Sequence, residues 1–279
     1  MNIETVHQCN CCLGNKTLHP LVSAIDLSKA NVMQRTIKFD FYTILLLECE
    51  CEDFIFLTPG QSININEGKA FPRKGWLLAF HPDLLCSTSL GRNIKNYSFF
   101  SYHLNEALHL SLREKDKAIE CMYNIEKELQ HAIDCHSKTL ISRYIELLLD
   151  YCSRFYDRQF ITRNEVNKAI LNKMDIALDD YIQSGQLKNG VLPSTKYCAD
   201  ILHLSPRYFS DLLKFETGKN LDEYFQLKRL EVAKEMLLGK GYTVRSVAEK
   251  LGYPSVQYFS NLFRKLVGVS PCEYRLSQN

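Results

Sequence analysis

The sequence predicts an α+β chain: a strand-rich N-terminal part, a helical hairpin, and an all-α C-terminal domain built as a tandem helix-turn-helix. Three observations carry that prediction. Between residues 19 and 102 short apolar runs alternate with turn residues, no glycine falls between Gly91 and Gly185, and one helical pattern occurs twice near the C-terminus, 49 to 50 residues apart.

The first twelve residues, MNIETVHQCNCC, lack the basic start and apolar run of an export signal and read as a flexible leader. His7, Cys9, Cys11 and Cys12 cluster there. As metal ligands they would need a second group, for which Cys49 and Cys51 are candidates, and adjacent thiols fit a tetrahedron poorly. No metal or cofactor is expected.

Strands are expected at 21–27, 37–47, 54–57, 63–65, 76–80 and 97–100, where β-branched and aromatic residues recur with period two. Thr58-Pro59-Gly60-Gln61 and Gly68-Lys69 are turn signals. Short strands in series predict a small barrel or sandwich for residues 1–110. Catalytic patterns are missing: there is no H-x-H among the strands, no G-x-S-x-G and no H-E-x-x-H. His81, His103 and His109 are expected to be surface or locally bonded histidines.

Ser111-x-x-Glu114 is a capping box that opens a helix to about residue 132, striped by Ala118, Met122, Ile125 and Leu129. A second helix, about 138–156, carries Leu140, Tyr144, Leu147, Leu148, Tyr151 and Phe155. The two form an antiparallel hairpin over 111–160. Its stripes either pack on the strands or pair with a second copy through Leu140, Tyr144, Leu147, Leu148 and Tyr151. Residues 161–172 are polar and basic and are read as the connection to a domain spanning 173–279.

In that domain Ser194 is expected to cap one helix through Leu202, and Ser205, followed by Pro206, the next. In the second copy Thr243 caps 244–251, Gly252 makes the turn, and Ser255 caps a helix with Phe259, Leu262 and Phe263 inward. The outer face then holds Val256, Gln257, Ser260, Asn261 and Arg264, with Arg207, Ser210, Asp211 and Lys214 as the first-copy counterparts. An ordinary hairpin would expose mainly Lys and Glu; short amides and hydroxyls can meet base edges, and Arg can meet bases or phosphate. Ser205, Arg207, Ser210, Asp211, Lys214, Ser255, Val256, Gln257, Ser260, Asn261 and Arg264 are therefore the candidate DNA contacts.

The second copy, with Ala248, Leu251, Gly252-Tyr253, Tyr258-Phe259-Ser260, Phe263-Arg264-Lys265, Gly268 and Ser270-Pro271-x-x-Tyr274-Arg275, resembles the AraC/XylS family of bacterial transcription regulators. The segment Arg229-Leu230-x-x-Ala233-x-x-x-Leu237 fits that family's connecting helix. The resemblance covers about the last hundred residues. It implies two reading helices in successive major-groove segments of duplex DNA, a cupin-like N-terminal sensory domain with a small-molecule effector, self-association as a homodimer, and RNA polymerase as a further partner. Where an intact cupin would fit another hairpin, the chain has only residues 48–53, which leaves closure of a ligand cavity open.

Composition bounds these readings. The 279 residues suit about two domains, and a net charge of +2 is not the bulk basic signature of a non-specific nucleic-acid binder. From Phe160 onward 17 basic residues face 13 acidic ones, against 17 and 19 before it. Eleven irregularly spaced cysteines without an export signal point to reduced thiols and the cytoplasm, and no run is long enough to span a bilayer. Two other functions fit less of the pattern: a cupin-like metal enzyme with a helical accessory domain, and a co-regulator that binds a partner protein through its helices.

Overall fold

The computed structural model describes residues 2–30, 36–48, 52–64, 74–239 and 241–277. Cys49, Cys51, Ile65 and the Gly68-Lys69 turn lie outside them. The chain divides into two units, Met1–Arg163 and Asn164–Asn279.

The first unit begins with strand β1 (Asn2–Ile3) and helix α1 (Val6–Leu13), so the expected leader is ordered. The reason is local. Thr5 and Gln8 close a capping box, Gly14 ends the helix in the left-handed region, and Val6, Cys9 and Leu13 bury one side. Then come β2 (Val22–Asp26), β3 (Thr36–Phe39), β4 (Tyr42–Glu48), β5 (Glu52–Leu57), β6 (Ser62–Asn64), β7 (Gly75–Phe80), α2 (Ser89–Asn93) and β8 (Leu108–His109). They form a three-stranded sheet, β1-β3-β6, and a five-stranded antiparallel sheet, β2-β7-β4-β5-β8.

Pairing fixes which side chains share a face. Leu45 lies opposite Leu77 and Ile55, Ile44 opposite Leu78 and Phe56. Leu45, Leu57, Leu77 and Ala79 join a core with Ile3, Cys9, Ile37 and Phe39 from α1 and the smaller sheet. On the opposite face, Phe56 meets the rings of Phe99, Phe100 and Tyr156. With both faces covered, β7 is buried along its whole length, which is why it reads as a continuous apolar run. Residues 97–100 are not a strand, as their composition suggested. Residues 98–101 form a 3-10 turn instead, and the rings of Phe99 and Phe100 pack against Phe56 of β5, on the face of the sheet rather than in a ladder.

Helices α3 (Leu112–Leu129) and α4 (Ser137–Thr162) complete the unit. Arg158 clamps them, donating to Glu114 at 2.6 Å and 3.0 Å. The buried stripe of α4 is Ile141, Ile145, Leu148, Leu149, Cys152 and Phe155. Leu148, read from sequence as a self-association residue, is thus interior: it follows Ile141 and Ile145 by seven and three residues and so shares their face. Leu140 (40% exposed) and Leu147 (45%) stay outside, with Tyr144 and Tyr151 half-buried.

The second unit begins with α5 (Asn164–Gln183), so most of the presumed connection at 161–172 is helix; its lack of glycine and proline outweighs its polarity. A 3-10 turn at Gln186–Asn189 leads to α6 (Thr195–Leu202), α7 (Pro206–Thr217), α8 (Leu221–Leu238), α9 (Val244–Lys250), α10 (Val256–Val267) and α11 (Pro271–Ser277). Phe209, Leu213, Leu230, Ala233, Leu237, Val247, Phe259 and Phe263 meet in one core. No helix among the described residues is long and apolar enough to cross a membrane.

Candidate nucleic-acid interface

The two helix pairs, α6 with α7 and α9 with α10, are built by the same local rules. Ser194 accepts from the N–H of Tyr197, Ser205 from Tyr208, Thr243 from Ser246 and Ser255 from Tyr258, so each helix starts on a hydroxyl cap. The turns also correspond: the N–H of Leu204 bonds the carbonyl of Ala199, and that of Tyr253 bonds the carbonyl of Ala248. His203 and Gly252 both take the left-handed conformation, at φ 56° and 69°. Histidine serves at the first site. At the second, a Cβ would fall 2.2 Å from the carbonyl oxygen of Leu187, so only glycine fits. The second turn is one residue longer, with Pro254 between Tyr253 and Ser255, and there the offset changes from 49 to 50.

On α10, Gln257, Asn261 and Arg264 are exposed along one line, while Phe259 and Phe263 are fully buried. The side chains of Gln257 and Asn261 make no hydrogen bond within the described residues. They are therefore uncommitted polar groups one helical turn apart. Ser260 is half-buried. One expectation needs correction. Val256 packs against the core, because it precedes Phe259 by three residues and Phe263 by seven; Leu262, half-buried, packs on the same core as expected.

On α7, Arg207 and Lys214 are exposed. Asp211 is half-buried and sits 3.5 Å from Arg207, so the acid on this face has a basic neighbour on its own helix. Ser210 donates to the carbonyl of Pro206 at 2.9 Å. Ser205 is 1% exposed with its hydroxyl spent on the cap, and it is not a surface contact. Its counterpart Ser255 is exposed while capping.

Two exposed residues were missed. Tyr258 (50% exposed) and Lys265 extend the outer face of α10. Both follow a candidate by one or four residues, a signal the sequence reading could have used. Tyr258 stands out because its counterpart Tyr208 is buried at 4%.

Behind the second turn lies Arg229 of α8. It is 7% exposed, donates through Nη2 to the carbonyl of Leu251 at 2.6 Å, and stacks 4.0 Å from the centre of the Tyr253 ring. Burial pushes its guanidinium below the ordinary arginine range. The residue thus fixes the turn from which α10 starts.

Away from this unit lies the N-terminal thiol cluster, whose candidate second group, Cys49 and Cys51, falls outside the described residues. Cys9 is fully buried and its thiol is pushed up to about 12 by burial and by nearby Cys12, while His7 meets Thr17 at 2.9 Å and Cys11 at 3.5 Å. Among the described residues no three His, Cys, Asp or Glu side chains gather as a metal site.

The model of a family described as a helix-turn-helix domain matches residues 198–277. This stretch is an AraC-type helix-turn-helix domain. The chain is 34% identical over 113 residues to the transcriptional regulatory protein YesN of Bacillus subtilis, covering 39% of this chain and 29% of that protein. It is also 39% identical over 80 residues to the HTH-type transcriptional regulator YobQ of the same organism, covering 29% and 33%. The chain thus spans about a third of the length of these curated relatives. Among solved structures, an apo ToxT variant from Vibrio cholerae covers 94% of this chain and 98% of its own at 14% identity and a TM-score of 0.33. So slight a likeness adds nothing to the reading of the first unit. The AraC-type domain contains both helix pairs except the first three residues of α6.

Proposed function

We propose that this chain is a sequence-specific, DNA-binding transcription regulator in which α7 and α10 enter successive major-groove segments and the N-terminal unit controls them. One observation carries the reading: Gln257 and Asn261 are exposed, unbonded and one turn apart on a capped helix inside an AraC-type domain. Amides so placed can each pair with the N6 and N7 edge of adenine, and Arg264, a turn further on, lies nearer phosphate. Lys214 and Arg207 supply phosphate contacts on α7.

Two finer assignments belong to the same reading. Leu140, Tyr144, Leu147 and Tyr151 recur at spacings of four, three and four residues, the seam of a paired helix, and support a homodimer through α4. The two packed sheets support a cupin-like regulatory unit. Among the described residues its interior is filled by side chains such as Phe39, Phe41, Phe54 and Phe80, which favours a regulatory over a ligand-enclosing role. A cytoplasmic protein that meets RNA polymerase at its operators completes the proposal, with no reaction assigned.

The test is the salt dependence of binding to duplex DNA. A regulator of this kind binds with an affinity that falls linearly on a log–log plot against salt, with a slope of several units. An absence of salt-sensitive binding to any duplex contradicts the reading.

A further inference from the structure

The C-terminal unit contains a cleft of about 920 Å³ that the outward faces of Gln257, Asn261 and Arg264 leave unused. Its base is where Leu187 closes on Gly252, and its walls come from α8, α9, the second turn and Tyr258 of α10. The size falls within the roughly 300–1,000 Å³ of small-molecule sites.

The charges are one-sided. Arg229 lines the cleft nine-tenths buried, with no carboxylate within ion-pair distance and its Nε without a hydrogen-bond partner. Only Nη2 is committed, to Leu251. Lys188 and Lys250 stand at the rim: Lys188 is exposed and unpaired, and Lys250 rests 4.5 Å over the ring of Tyr242 rather than on an acid. The acid in the lining, Glu249, is held by Arg245 at 2.8 Å. Gln226 and Ser246 add neutral polar groups to the lining, and Tyr253, Tyr258, Pro254 and Leu192 supply aromatic and apolar surface.

A desolvated guanidinium without a counter-ion is costly, and a carboxylate meets its fork of N–H donors better than any other common group. We propose that this cleft binds a small organic anion, an aromatic or alicyclic carboxylate whose charged end meets Arg229 and whose ring lies against Tyr253, Tyr258 and Pro254. A phosphate of duplex DNA is the lesser fit. It could not carry its backbone down to a 7% exposed guanidinium, and it would leave the apolar walls empty.

The experiment titrates the full chain, without DNA, with 1-naphthoate, its neutral amide 1-naphthamide, and inorganic phosphate. Because no DNA is present, its failure and a failure of the DNA-binding reading are separate results. The expected outcome is saturable one-to-one binding of naphthoate with a Kd of about 1 mM or tighter, at least about tenfold weaker binding of the amide, and no displacement by equimolar phosphate. Arg229→Gln removes the charge but also the turn's anchor, so the deciding variant is Lys188→Glu with Lys250→Glu, both at the surface and outside the core. Circular dichroism checks that it folds, and it is expected to weaken naphthoate at least about tenfold. Four results overturn the proposal: no saturation up to about 10 mM, equal binding of the amide, unchanged binding in the double variant, or displacement by phosphate, which makes the site a phosphate site.

Discussion

Gln257 and Asn261 are single residues on which the DNA reading turns. Replacing either by Ala should cost about 1–3 kcal/mol on a preferred duplex and relax preference at one base pair, whereas Arg264→Ala should weaken all sequences alike and reduce the salt slope by about one unit. Fluorescence anisotropy across a salt series separates the two patterns. Asp211 acts in the opposite sense. Its carboxylate, 3.5 Å from Arg207, offsets a cation that phosphate would otherwise meet, so Asp211→Ala should tighten non-specific binding. Unchanged or weaker binding would mean that Arg207 does not reach DNA. The polar face of α10 was legible because its inner stripe is strongly apolar and its cap is a serine. Val256 and Ser205 were misread for one shared reason: each lies in the first turn or at the cap, where the chain has just entered the core and the outer face is not yet clear of it. Arg229 could be placed on α8 from its spacing, but its partners come from the second turn, 22 residues away, which no local pattern reports.

At the scale of elements, the second turn tests whether a close backbone approach, rather than conformational preference alone, selects glycine. Gly218 and Gly252 have φ near 70°, but a Cβ at Gly218 would meet nothing within 4 Å, while one at Gly252 would strike the carbonyl of Leu187. Gly218→Ala should therefore cost about 1–2 kcal/mol, the left-handed penalty alone, and Gly252→Ala clearly more, with urea midpoints as the measure. Equal costs would show that Leu187 simply moves aside. Helices were the most legible elements, because the capping box at Ser111, the cap at Thr243, the N-cap serines and the turn glycines mark their ends in the sequence itself. Strand composition alone does not place a segment in a ladder. Residues 97–100 have strand composition but pack their rings on the face of β5, whose two edges are paired with β4 and β8, and α1 was overlooked because its apolar side is carried by cysteine, valine and a single leucine.

For the whole molecule, α4 separates self-association from folding. Leu147→Lys should leave a folded chain that sediments as a monomer and binds its operator less tightly, whereas Leu148→Lys, placing a charge at a fully buried site, should cost several kcal/mol and unfold the first unit. A wild-type chain that is monomeric at micromolar concentration would remove the dimer from the account. The division into two units was legible as a change from strand-rich to glycine-free and then repeated helical sequence. Its position, after Arg163, was not, because α4 and α5 carry helical sequence up to the boundary from both sides. The most direct test of the central claim is selection of binding sites from random duplex DNA by the full chain, wild type and Gln257→Ala side by side. The account predicts a consensus in two blocks about one helical turn of DNA apart for the wild type, with information lost at one base pair of one block in the variant. A failure to enrich any sequence, or an identical consensus at undiminished information from Gln257→Ala, would contradict it.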